Sequence, residues 1–273
     1  MKKLKLFDFV SMTLLTLVTV VFVFPFYWVI TGSFKTRLDS LKLPPIWFIN
    51  NPTLESWETL FKQPTLQWLF NSIFISVVTM ILVCAVSATA GYVLAKKRFK
   101  GSKVLFSMFV FAMALPKQVV LVPLVKQISF MGFHNTLWAV ILPAVGWPFG
   151  IFLMKQFSET VPTELLEAAK IDGCSELKTF IEIVLPIVKP GIAALAIFTF
   201  ISSWNDYFLQ LIMLNTRKNL TLQLGLATLQ GEFATDYGVL MAGASLAAIP
   251  IIVIFIAFQK SFTQGITIGA VKG

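Results

Sequence analysis

The sequence has little charge. Asp, Glu, Lys and Arg make up 13% of its 273 residues, against roughly a quarter in soluble proteins, too few to cover a water-facing surface of this size. It has one histidine, His134, so an HExxH zinc site is excluded and a Ser-His-Asp arrangement would have to be built around a single ring. That residue reads as structural or interfacial. Its two cysteines, Cys84 and Cys174, exclude a disulfide scaffold. One falls in an apolar run and the other in a charged loop, and both are expected to be free thiols. No GxxxxGK[ST] loop occurs, so ATP cannot be bound by that route, and no catalytic or metal-ligating set is legible. A hydrophobic content of 57% excludes disorder.

What the sequence does have is apolar length. A bilayer core about 30 Å thick takes about 20 residues of helix, and six stretches qualify: 9–30, 68–95, 104–125, 136–154, 191–214 and 238–258. The expected fold is an all-α integral membrane protein, one transmembrane domain over 1–273 with six transmembrane helices. Within those spans only Lys117 and Asp206 carry a formal charge. Prolines 25, 116, 123, 143, 148 and 250 lie inside them and predict kinks, since neighbouring helices can re-satisfy freed backbone groups. The first span is expected to be uncleaved. It ends in Phe24-Pro25-Phe26-Tyr27-Trp28, an interfacial aromatic belt where a signal peptide would need small residues.

Basic residues set the orientation. The two termini and segments 96–103 and 155–190 hold 14 Lys and Arg, and the opposite side holds 7, which predicts cytoplasmic termini. The net charge of +9 thus reads as a topology signal and not as a nucleic-acid surface. Gly146 and Gly150 form a GxxxG pattern weakened by Trp147 and Pro148. Asn219-Leu220-Thr221 matches a glycosylation sequon that arises often by chance.

Six of the 13 acidic residues fall in the 159–190 loop: Glu159, Glu164, Glu167, Asp172, Glu176 and Glu182. Pro162 suits a helix start, with Glu164 and Glu167 complementing the dipole. Leu165, Ala168 and Ala169 form an apolar stripe, Gly173 reads as a left-handed stop, and Ser175 reads as the next N-cap. Leu177, Phe180, Ile181 and Val184 make a second stripe, ended by Pro186. The expected product is a helical hairpin with apolar residues on one side and charges on the other. Such a hairpin can lie on its own membrane helices or seat in a groove of another protein.

Glu167-Ala168-Ala169, three residues, Gly173, nine residues, Ile183, one residue and Leu185-Pro186 reproduce the EAA signature. The chain therefore resembles membrane (permease) subunits of binding-protein-dependent ABC importers. It is similar in particular to the carbohydrate-uptake branch of the maltose-transporter G-subunit type. Further matches are Gly32-Ser33-Phe34-Lys35, Asn71-Ser72, Ala95 to Gly101, Ile171-Asp172-Gly173, Trp204-Asn205-Asp206 and Gly265 to Gly273. The resemblance implies a multi-pass permease in a prokaryotic cell membrane that moves a sugar or oligosaccharide by alternating access. It further implies a transport subunit and not an enzyme, with no cofactor on this chain. By the same resemblance ATP and Mg would belong to a cytoplasmic ABC ATPase dimer that docks on the 159–190 loop. Glu167 would be the polar contact, Ala168 and Ala169 the close-packing face, and Gly173 the turn, with Asp172, Leu185 and Pro186 completing the signature. The other implied partners are a second, different permease subunit, an extracytoplasmic solute-binding protein, the sugar and membrane lipid.

Charges within a span cost about 2.5 to 3.5 kcal/mol on insertion scales and mark a pathway by default. Lys117 and Asp206 fall at roughly 20 Å and 22 Å from the cytoplasmic ends of their spans. They are expected either to pair or line a polar cavity, or to snorkel separately. Trp204, Asn205, Asp206 and Tyr207 form a polar and aromatic set in an otherwise apolar helix. They suit a sugar's hydroxyls and C–H face, or they only hold helices together. The outer segments, with Pro44-Pro45, Trp47, Trp57, Leu220, Leu222 and Leu224, are expected to meet the binding protein or rest on lipid. A non-sugar solute, a gradient-driven secondary transporter and a non-transporting structural subunit stay open as rivals.

Overall fold

The structure, a computed structural model, describes residues 6–49, 51–97, 99–232 and 236–270. Lys2, Lys3, Lys5, Arg98 and Val271 to Gly273, which entered the orientation count or the resemblance, lie outside these residues. Every described element is a helix. In chain order they are α1 (Leu6–Gly32), α2 (Arg37–Ser40), α3 (Glu55–Phe61), α4 (Thr65–Lys96), α5 (Ser102–Met113), a 3-10 turn (Lys117–Val120), α6 (Leu121–Phe130), α7 (Trp138–Val145) and α8 (Pro148–Glu159). There follow α9 (Thr163–Ile171), α10 (Glu176–Thr179), a π turn (Phe180–Val184), α11 (Leu185–Trp204), α12 (Tyr207–Met213), a 3-10 turn (Arg217–Asn219), α13 (Leu222–Glu232) and α14 (Tyr237–Ala270).

Four helices are long and apolar enough to cross a membrane singly: Asp8–Gly32, Thr65–Lys96, Glu176–Trp204 and Tyr237–Phe258. Two more pass only as bent pairs, α5 with the 117–130 segment at 103° and α7 with α8 at 42°. The sequence accounts for both breaks. A proline disfavours helical backbone at the residue before it. Pro116 accordingly follows the end of α5 and is itself extended, and Trp147, before Pro148, is extended with ψ at 113°. The stretches 104–125 and 136–154, read as kinked single helices, are therefore broken ones.

The stretch 191–214 is also interrupted. α11 ends at Trp204 and α12 begins at Tyr207. At its other end the helix starts earlier than expected. Pro186 does not end the second hairpin helix, because Glu176–Trp204 runs as one rod through the proline. The π turn just before it widens the ladder where Pro186 supplies no N–H, so the chain passes the ring without stopping.

The chain divides into two compact units. In the unit of residues 1–66 and 225–249, Leu60, Val239 and Ala242 form a small core with Trp57, Leu226 and Leu229 against it. There Tyr27 donates to the Trp47 carbonyl at 2.8 Å and Trp57 Nε1 donates to Ser33 Oγ at 3.2 Å, fixing the segment after α1. Buried Lys35 donates to the Ile46 carbonyl at 2.6 Å and lies 4.1 Å from the Trp28 ring centroid. Burial holds its pKa below the ordinary lysine value, against the opposing pull of Asp39.

In the unit of residues 67–224 and 250–273, the main core joins Val83, Ala88, Tyr92, Met154, Val161, Val184, Val188 and Leu195. Small residues let these helices approach. A Cβ on Gly91 would stand 2.6 Å from backbone atoms of Met154 and Lys155, and one on Gly191 would enter the Phe157 ring. Gly150 of the GxxxG pattern packs on Ser87, but Gly146 faces open space, so the pair does not act as a motif.

Candidate functional site

The segment 159–190 forms as a helix, a glycine turn and a second helix. Glu164 in the first turn and Lys170 in the last complement the dipole of α9. At its end Cys174 N–H donates to the Ala169 carbonyl at 2.9 Å and Gly173 N–H to the Lys170 carbonyl at 3.1 Å, a Schellman pair with Gly173 at φ +75°. Ser175 then caps α10, accepting from Lys178 N–H at 3.3 Å. Gly173 has no neighbour within 4 Å of a Cβ position, so its requirement is one of backbone shape alone.

The sequence predicts apolar residues on one side of this segment, and the structure does not place them so. They divide over two sides. Leu166, Ala169, Phe180 and Val184 turn inward, with Leu166, Phe180 and Val184 joining the main core and Ala169 only 4% exposed. Leu165, Ile171, Leu177 and Ile181 turn outward, Ile171 with 85% of its surface exposed, and Ala168 and Glu167 are exposed with them. One of the two arrangements, resting on the chain's own helices, is thus present on the inward face, and the other face is left open. Asp172 is the exposed C-cap residue of α9, Leu185 is half-buried against the core, and Pro186 is exposed.

The segment is fastened to the end of α4. Lys97 Nζ lies 2.5 Å from Glu176 Oε2 and 5.6 Å from the Tyr92 ring centroid, and Lys96 donates to the Glu159 carbonyl at 3.2 Å. Partial burial pulls the Lys97 pKa down, but the Glu176 bond and Tyr92 outweigh it, so the balance lies above the ordinary lysine value. The contact is then fully charged at neutral pH and is lost only as pH rises through that raised value. Being half-exposed, it contributes about 0 to 1 kcal/mol.

The residues expected along a pathway have separate partners. Asp206 Oδ1 accepts from Leu209 N–H at 3.2 Å as the N-cap of α12. Lys117 is exposed in its 3-10 turn, with Nζ 5.8 Å from the Trp147 ring centroid. Among the described residues no ion pair joins the two. Trp204 is buried and stacked on Phe200 with ring centroids 5.8 Å apart, while Asn205 and Tyr207 are exposed. The set is thus a helix break whose polar groups satisfy freed backbone. Asn205 donates to the Ile201 carbonyl at 3.0 Å and Gln210 to the Ser203 carbonyl at 3.1 Å.

Sequence reading missed a polar clamp centred on Asn135, the one non-glycine residue among those described with positive φ, at 59°. Its side-chain oxygen accepts from Asn215 and Thr216 N–H at 3.0 and 3.1 Å, and its carbonyl accepts from Asn219 at 2.6 Å. Asn71 donates to the Lys218 and Leu220 carbonyls at 2.8 and 2.9 Å, and Ser72 accepts from Leu222 N–H at 2.8 Å. Asn is among the non-glycine residues enriched in the left-handed region, and that preference offered the clue. Leu220, Leu222 and Leu224 are therefore buried and offer no contact surface, and the sequon is folded inward, with Thr221 fully buried.

A helical membrane protein with several apolar helices, two of its apolar stretches bent, and an outward-facing apolar surface on a turned helical segment is the class these features define. The chain belongs to the family described as the binding-protein-dependent transport system inner membrane component, whose pattern it matches over residues 87–268. It is accordingly a multi-pass inner-membrane transport component. It is 35% identical to the arabinooligosaccharides transport system permease protein AraQ of Halalkalibacterium halodurans over 92% of this chain and 91% of that one. It is also 35% identical to the galactooligosaccharides transport system permease protein GanQ of Bacillus subtilis, covering 96% and 95%. Its fold matches a chain of a bacterial ABC transporter involved in the import of the acidic polysaccharide alginate. The TM-score is 0.83 at 19% identity, covering 96% of this chain and 98% of that one.

Proposed function

We propose that this chain is a permease subunit of an ATP-driven, binding-protein-dependent importer of a sugar or oligosaccharide. The observation that carries the coupling is the open apolar face of the 159–190 segment. Leu165, Ala168, Ile171, Leu177 and Ile181 are presented outward on α9 and on the start of the Glu176–Trp204 rod, which the left-handed turn at Gly173 joins, and Glu164, Glu167 and Asp172 are exposed with them. Helix-in-groove docking uses such a face. A cytoplasmic ATPase dimer fits it, carrying ATP and Mg, with none on this chain. The sugar reading is supported by relatives named as oligosaccharide permeases, which match over nine-tenths or more of both chains.

Each bent pair is read as one broken span, giving six, with both termini cytoplasmic by the basic-residue bias. Broken helices at membrane depth are tolerated where they line a cavity, and exposed Asn205 and Tyr207 at the 204–207 break are the pathway-facing groups. Trp204 supports them from behind. A second permease subunit is implied by α1, apolar all round and with none of its membrane window buried in this chain. Leu38, Leu43 and Phe48, exposed in the outer segment, offer a surface to a binding protein.

The test is uptake of a panel of labelled oligosaccharides and amino acids by a strain lacking only this chain. Loss of uptake of one oligosaccharide class, restored by the chain, is the expected result. Unchanged uptake of every sugar would overturn it, and loss of amino-acid uptake alone would reassign the solute.

A further inference from the structure

At the basic end of α4 the unit of residues 67–224 holds a cavity of about 750 Å³ that the transport reading leaves without a role. Its polar rim is Lys97, Lys100, Lys103 and Lys155, with Ser102 and Ser107 between them, and its apolar side is Phe99, Phe106, Leu94 and Ala95. Lys97 and Lys155 are each engaged by one carboxylate, Glu176 and Glu159. Among the described residues Lys100 and Lys103 face none, so the cavity keeps a net positive charge. It also holds the N-terminus of α5, a twelve-residue helix whose N-cap Gly101 has no side chain to accept from the first-turn N–H groups.

The ligand must bring negative oxygen to that rim and tolerate an apolar neighbour. From the cavity, α5 continues as an exposed hydrocarbon face in which Val104, Met108 and Phe111 have 66%, 64% and 71% of their surfaces exposed. A free phosphate satisfies the rim alone. A phospholipid satisfies both, because its acyl chains lie along the face that leads away from its phosphate. We propose that this cavity binds the phosphate headgroup of an anionic phospholipid, with Lys100 and Lys103 as its charge partners, the α5 N-terminus as a further donor site and the α5 face as the acyl track. Basic pockets between membrane helices take such headgroups on these terms. The inference goes beyond the transport reading and does not depend on the solute.

It is tested on the full chain, extracted with its partners in mild detergent, by titrating dioleoylphosphatidylglycerol against dioleoylphosphatidylcholine and scoring bound lipid by native mass spectrometry. Each lysine near an anionic lipid is worth about fivefold in affinity. The K100Q/K103Q variant is therefore expected to lose about 25-fold of the preference for phosphatidylglycerol. K100R/K103R keeps it, which separates lost charge from lost folding, and Lys126→Gln, exposed elsewhere, leaves it unchanged. Unaltered preference in K100Q/K103Q would overturn the site, as would a loss that K100R/K103R shares. Equal competition by inorganic phosphate at the same concentration would show a small-anion site and overturn the lipid assignment.

Discussion

Asp206 is one of two formal charges inside the expected spans, and its partner is a backbone N–H. The carboxylate caps α12 after the chain breaks at Asn205, so its first task is to satisfy a helix end in a low-dielectric setting. Capping by Asp or Asn is nearly equivalent, and loss of a cap costs about 1 kcal/mol. Asp206→Asn is therefore expected to preserve stability and uptake, while Asp206→Ala lowers the melting temperature of the detergent-solubilised protein. A loss of uptake in Asp206→Asn at unchanged stability would show that the charge itself is used. The charge was visible in sequence but its task was not, because apolar residues continue on both sides of the break. An Asn followed by Asp at the end of an apolar run is a C-cap and N-cap pair, and that was the local signal available. Gly173 and Ser175 were legible for the opposite reason, since each acts on backbone within four residues.

At the scale of elements, close approach decides what a substitution costs. Gly91 on α4 faces the backbone of Met154 and Lys155, which cannot move aside as a side chain can. Gly91→Val is expected to destabilise by about 1 to 3 kcal/mol or more, seen as lower yield and melting temperature. Gly146→Ala, in open space, is expected to change neither. Sequence alone gave these glycines no ranking, since the distinction lies in which helix passes opposite. Likewise the π turn before Pro186 depends on the rod being held by Val184 and Val188 in the core, which no local rule could have foretold. The outward face of 159–190 is the element open to a partner. Ile171→Asp is expected to weaken co-purification of the ATPase about tenfold or more, as for a hot-spot residue, without altering the melting temperature of the chain. Retention of the partner at wild-type level would remove Ile171 from the contact.

For the whole molecule, composition set the solvent and basic bias the expected sidedness; prolines announced kinks in two of the three interrupted stretches, and the backbone showed those kinks to be full breaks. An alkaline phosphatase fused after Gly273 is expected to be inactive and a cytoplasmic reporter there active; the reverse would invert the topology. The central claim is that ATP-driven movement reaches this chain through the turned segment at Gly173. Gly173 adopts a left-handed backbone that costs a β-branched residue about 1 to 2 kcal/mol, yet it touches nothing a side chain would strike. The most direct measurement is sugar uptake by proteoliposomes carrying the complete assembly, with Gly173→Val beside the wild type. Uptake reduced about tenfold or more, with full-length protein present in the membrane, is the expected result; uptake at the wild-type rate would contradict the account.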